Sequence, residues 1–180
     1  MPGTIIALAS DGMHRFSKQP RDRLTLIAEW GVEGDAHAGA TVQHRSRAAK
    51  HPGMRNLRQV HLIQSELFAD LARNGFDVEP GDLGENVTTQ GIDLLALSAG
   101  TRLRIGTGLI ELTGLRNPCH QIDDNIAPGA MAAVLGRAAD GGLVRKAGVM
   151  AIVVEGGEIA IGDRISVESA PHAHFQLKPV

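Results

Sequence analysis

Glycine divides this chain into pieces too short for long helices. There are 22 glycines in 180 residues, and only 3% of residues are aromatic. A glycine inside a helix costs about 0.5–1 kcal/mol relative to alanine. The apolar runs between glycines are four to six residues long, the length of strands. Residues 5–9 predict a buried first strand, and residues 24–27, 60–63, 87–89, 102–105 and 109–113 predict others. Residues 149–154, 158–161 and 165–167 predict a terminal hairpin with a further strand. Residues 11–23 and 31–39 predict loops. Two or three helices are expected, two of them with bounds. The first covers residues 66–74, with Ser65 as cap and Gly75 as stop, and the second covers residues 130–139, stopped by Gly141-Gly142. About eight strands with few crossover helices point to a mainly β fold with small helices, a closed or nearly closed antiparallel-rich β-barrel. The length fits a single domain over residues 1–170, with 171–180 as a loose tail.

The only cysteine is Cys119, in Arg116-Asn117-Pro118-Cys119-His120 after a predicted strand. It has no partner for an internal disulfide. A functional Cys119 therefore acts as a nucleophile, a sulfur acceptor or a single metal ligand, and the cations Arg116 and His120 favour the reactive thiolate. The alternative is a buried thiol packed as a small hydrophobe. Residues 44–58 carry Arg45, Arg47, Lys50, Arg55 and Arg58 with no acid among them. That is either an anion site or a solvated basic loop.

Several chemistries lack their signatures. His37, His44 and His51 recur every seven residues, but Pro52 and the surrounding glycines prevent one continuous helical face, and no His-Glu-x-x-His occurs. Neither Gly-Lys-Ser/Thr nor Gly-x-Gly-x-x-Gly nor Gly-x-Ser-x-Gly is present. A net charge of −2 argues against a general nucleic-acid binder. The absence of an apolar run of roughly 20 residues argues against a membrane helix. One cysteine and no secretory pattern at the start suggest a cytoplasmic setting.

Six segments resemble the MOSC domain, the module named for the C-terminal part of molybdenum cofactor sulfurase. They are Gly34-Asp35-Ala36-His37-Ala38-Gly39, Arg58-Gln59-Val60-His61-Leu62-Ile63, Pro80-Gly81-Asp82-Leu83-Gly84-Glu85-Asn86-Val87-Thr88, Gly100 to Gly106, Leu112 to Cys119, and Gly148-Val149-Met150-Ala151 with Gly157-Glu158-Ile159 and Gly162-Asp163. They occur in the family's order across most of the chain.

The resemblance implies a β-barrel-rich fold and a molybdenum cofactor (molybdopterin). Cys119 would ligate its molybdenum or carry sulfur as a persulfide. Arg58 and Arg116 would hold the cofactor's phosphate. Asn86, Thr88 and Asn117 would belong to the same pocket, with His37 and His120 as polar walls. Some relatives reduce N-hydroxylated compounds. That activity implies a small-molecule substrate and, here, a separate electron or sulfur donor protein, because the extra modules of the reductases have no counterpart in this sequence. A carrier of cofactor or persulfide without turnover is the other implied role. The family also carries an association with pyridoxal phosphate.

Overall fold

The computed structural model describes residues 2–180. The strands are β1 (Gly3–Ser10), β2 (Gln19–Arg21), β3 (Arg23–Ile27), β4 (Gly31–Val32), β5 (Val60–Gln64), β6 (Val87–Gln90), β7 (Arg102–Ile105), β8 (Gly108–Leu115), β9 (Leu135–Arg137), β10 (Leu143–Arg145), β11 (Val149–Glu155), β12 (Gly157–Ala160) and β13 (Arg164–Ser169). The helices are α1 (Arg45–Lys50), α2 (Glu66–Arg73), α3 (Gln121–Asn125) and α4 (Ala130–Ala133).

Seven strands close a mixed barrel in the order β13-β7-β8-β11-β5-β6-β1, with β1 returning to β13. Every neighbouring pair is antiparallel except β5–β6, whose connection through α2 makes it parallel. Closure leaves no free edge among these seven.

The run Val60-His61-Leu62-Ile63 is buried throughout because β5 serves two cores. Val60 and Leu62 point into the barrel with Ile5, Leu103, Ile110 and Val149. Ile63, on the opposite face, packs with Leu67 and Leu71 of α2, Leu83, Ile122 of α3 and Val134. Alternation along the strand sends His61 to this outer face as well.

Four expectations are corrected. β11 and β12 do not pair as a hairpin: β11 stays between β8 and β5, while β12 leaves the barrel and pairs with β3 in a three-stranded side sheet. Residues 130–139 do not form one helix. α4 ends at Ala133, and Leu135–Arg137 pairs instead with Leu143–Arg145 around the Gly141-Gly142 turn. Ser65 precedes α2, but its side chain makes no capping bond. Residues 171–180 are not loose. Leu177 is buried, Leu115 N–H donates to the Lys178 carbonyl at 2.8 Å, and Ala99 N–H donates to the Phe175 carbonyl at 2.8 Å. Ser65 apart, non-local pairing outweighed local pattern in each case. Smaller departures are β2 inside the expected loop 11–23 and α1 inside the basic segment.

Candidate functional site

A cavity of about 470 Å³ opens on the outer face of β5 and β11. This lies within the range of roughly 300–1,000 Å³ usual for small-molecule sites. His61 and Met150, opposite each other in the β5–β11 register, are part of its wall. The segment after β8 supplies Arg116, Asn117, Cys119 and His120. The chain leading into β5 supplies Arg58, and the α1 region supplies His44, Arg45, Ser46 and Arg47.

Asp35 organises the floor. Its side chain is fully buried. Its Oδ2 accepts from Lys18 Nζ at 2.8 Å and from Asn86 Nδ2 at 3.0 Å. Its Oδ1 accepts from the His37 N–H at 2.9 Å, an Asx turn built by Asp35-Ala36-His37. Burial alone would raise the Asp35 carboxyl, but hydrogen bonding from His37 and the Lys18 ammonium overcome it and hold the group far below the usual carboxylate range. Lys18 is pulled down by its own burial, opposed by Asp35.

Asn86 ties the pieces together. Its amide donates to the Ala9 carbonyl at 3.2 Å as well as to Asp35, and its Oδ1 accepts from the His61 backbone N–H at 3.1 Å. Both amide hydrogens are thus engaged, so Asn86 lines the cavity chiefly as a positioning residue. Thr88 departs from expectation. It is buried and does not line the cavity, and its hydroxyl donates to Glu85 Oε1 at 3.1 Å.

The Gly81-Asp82-Leu83-Gly84-Glu85 turn lets this floor close. A Cβ on Gly84 would lie 2.7 Å from the Phe16 carbonyl oxygen, and the residue has φ of +82°. Gly84→Ala should cost about 1–2 kcal/mol for the left-handed backbone, with a further penalty from the clash. A lowered urea midpoint, with loss of Phe16 from the Arg116 face, would show it.

The positive charge of the site is unbalanced. Arg116 is 8% exposed, its guanidinium lies 5.5 Å over the Phe16 ring, and its buried Nη1 has no hydrogen-bond partner. Arg58 is half-buried. No ion pair or side-chain hydrogen bond is found for Arg45, Arg47, Arg58 or Arg116 among the described residues. Burial pulls Arg58 down to about 10, and the charges of Arg47 and Arg116 add to that. Burial also lowers Arg116, against the opposing charges of Cys119 and Glu85. Behind them Glu85 is raised by burial, and its Oε2 is likewise unpaired. His61 is held neutral by burial and by Arg116. Its Nε2 lies 2.7 Å from the Ala147 carbonyl, which can only accept, so Nε2 carries the proton.

Cys119 sits partly exposed on the wall, with Sγ 3.6 Å from Gln121 Oε1. A thiolate there would partly offset the charges of Arg58 and Arg116. Asn117 and His120 are exposed at the outer edge. Asn117 Oδ1 accepts from Arg145 Nε at 3.1 Å, and His120 lies 3.8 Å from Asp124. His37 lines the cavity with its ring edge-on to His14.

The fold therefore gathers Cys119, Arg58, Arg116, Asn86, Asn117, His37 and His120 around one cavity and leaves out Thr88. Of the basic segment, Arg55 is turned away to pair with Glu29 at 3.0 Å. The sequence reading did not pick out Lys18, Asp35, Glu85 or His61 as site residues. The last three stand inside the resembling segments, whereas Lys18 has no local signal at all. Among the described residues no three His, Cys, Asp or Glu side chains converge as a metal-binding group. No helix among them is long and apolar enough to cross a membrane.

Among solved structures, the YuaD protein from Bacillus subtilis is similar with a TM-score of 0.75 at 24% identity, covering 92% of this chain and 94% of that one. YiiM from Geobacillus stearothermophilus gives a TM-score of 0.66 at 18% identity, over 93% of this chain and 76% of that one. YiiM from Escherichia coli gives 0.63 at 21% identity, over 96% and 73%. At these identities the likeness establishes the barrel fold. No curated protein matches the chain significantly. The sequence model of the MOSC domain matches residues 35–166, from the carboxylate at the cavity floor past the cysteine on its wall to β13, and the chain belongs to the MOSC domain family.

Proposed function

We propose that this cavity binds a molybdopterin-type cofactor, with Cys119 as the thiolate ligand of the molybdenum and Arg58 and Arg116 on the phosphate. The observation that carries the reading is the buried Arg116 guanidinium, with one nitrogen unpaired, in the same cavity wall as the chain's only thiol. An unpaired buried donor of this kind costs stability unless an anion meets it. A soft thiolate suits a soft transition-metal centre. Pyridoxal phosphate fits less well, because Lys18, the one lysine of the lining, is engaged by Asp35 and offers no free amine.

The chemistry supplied by such a cofactor, when bound, is two-electron reduction of the kind that converts an N-hydroxylated compound to its amine. That conversion consumes two electrons and two protons and releases water. The electrons come from a separate donor protein. Asp35 holds the Lys18 ammonium at 2.8 Å and lies 3.4 Å from His37 Nδ1, both in the lining, and Asn86 keeps that carboxylate in place.

The partial exposure of Cys119 also supports a carrier role. Its thiolate would attack the outer sulfur of a donor persulfide, the donor's S–S bond would break, and the donor would leave as a thiolate.

Elemental analysis and intact mass of the protein and of Cys119→Ser test both readings. Molybdenum near one per chain, lost in the variant, is the expected result. A mass gain of about 32 Da, removed by reductant and absent from the variant, selects the carrier. Neither signal after cofactor and sulfur donor have been supplied would sink the assignment of Cys119. The variant should keep the parent unfolding midpoint, since a partly exposed thiol contributes within about 0.5 kcal/mol.

A further inference from the structure

We propose that the cavity has a second anion site at its mouth, formed by Arg45 and Arg47 of α1, and that it selects a substrate bearing a phosphate monoester. This rests on the cofactor reading for the use of the site, but the geometry argues for it separately. The lining contains six cationic side chains and no carboxylate. Lys18 is matched by Asp35, and Arg15 lies 3.8 Å from Asp11. The remaining four guanidiniums divide by element. Arg58 and Arg116, half-buried and buried, stand beside β5 and β8 and form the deep pair, whereas Arg45, exposed, and Arg47, half-buried, are carried by α1. A phosphate monoester carries about −1.5 to −2 charges at neutral pH. One such group balances the deep pair and leaves the mouth pair uncompensated.

The helix that carries the mouth pair has no core-packing reason to be there. α1 buries none of its residues, has no acid in its first turn and ends with Arg47 and Lys50 in its last. A six-residue helix without an apolar face is not stabilised by packing. What its position achieves is to bring Arg45, Ser46 and Arg47 into the lining beside Arg58. Arg47 and Arg58 line the same cavity, and after burial the Arg47 charge is the largest influence on Arg58, so the exposed α1 and the deeper wall form one cationic path. Such a path draws anions inward and fixes them by charge-assisted hydrogen bonds.

The test begins with cofactor-free protein titrated calorimetrically with inorganic phosphate at low salt. About two phosphates per chain are expected, falling to one in Arg45→Gln/Arg47→Gln. A single phosphate unaffected by that double variant would overturn the proposal. Cofactor-loaded protein is then compared on an amidoxime with and without a phosphate ester, using a chemical reductant. The double variant should raise KM about tenfold for the phosphorylated compound only, a loss of about 1.4 kcal/mol, with kcat and molybdenum content unchanged. Falling molybdenum content would assign the mouth arginines to the cofactor and overturn the substrate role. If the parent protein takes up no molybdenum, the cofactor reading fails, and the phosphate stoichiometry still decides the second site.

Discussion

Asp35→Ala should lower the free energy of unfolding by about 3–5 kcal/mol, the usual cost of removing one partner from a buried ion pair. The loss is large because one carboxylate satisfies three elements. Without it the Lys18 ammonium, at 6% exposure, has no counter-ion, the Asn86 amide loses an acceptor, and the turn at His37 loses its Asx bond. Lys18→Met/Asp35→Leu should recover part of the loss, since a buried pair exchanged for apolar groups is often neutral. Urea unfolding of the three proteins measures this, and a loss below about 1 kcal/mol in Asp35→Ala would show that the pair does not hold the floor.

The same carboxylate sets an acid limb. Its folded value lies below the ordinary 3.8, so the unfolded chain binds the extra proton between the two values. Its contribution is complete above about 3.8 and is lost as pH falls toward the folded value. Glu85 acts with the opposite sign: its folded value lies above 4.5, so its contribution falls as pH rises through that window. Urea midpoints from pH 6 to pH 3 should therefore fall less steeply below pH 4 in Asp35→Asn than in the parent, with the Glu85 component common to both.

Arg116→Met should separate stability from binding. The guanidinium is buried with an unpaired nitrogen, so removing it costs little stability or raises it. Glu85 then loses a favourable charge and is pushed further toward its neutral form. Affinity for inorganic phosphate at the deep site should fall by a factor of about 10–150, the equivalent of 1.5–3 kcal/mol for a charge-assisted hydrogen bond. Arg116→Lys should restore only part of it, because a point charge does not reproduce a planar fork. Calorimetric titration paired with urea unfolding reads both effects. A loss of several kcal/mol in stability with phosphate binding intact would make Arg116 a structural residue.

Much of the architecture was legible without coordinates. Alternation and length identified the strands that became β1, β3, β5, β6, β7, β8 and β11, and their number implied closure, because a sheet of many short strands leaves exposed edges unless it meets itself. Cys119 was conspicuous as the lone thiol beside cations, and Arg58 and Arg116 were marked by charge and resemblance. The errors fell where partners are distant. Residues 135–137 have a helical neighbourhood but pair with 143–145, and β12 follows β11 after one residue yet crosses to β3. The tail from residue 171 has no strong pattern and is held by backbone bonds to residues near 99 and 115.

The sequence by itself determined the β-dominated barrel, the chain's only thiol and the excess of cations around residues 45–58, because local periodicity and composition report burial and charge directly. Only the tertiary structure decided that Lys18 meets Asp35, that Arg116 is buried with a free donor, that Thr88 is turned away and that Arg47 rather than Arg55 faces the cavity. Those outcomes depend on which distant side chains share a desolvated space. There the energy of a charge is set by its partners in three dimensions rather than by its neighbours along the chain.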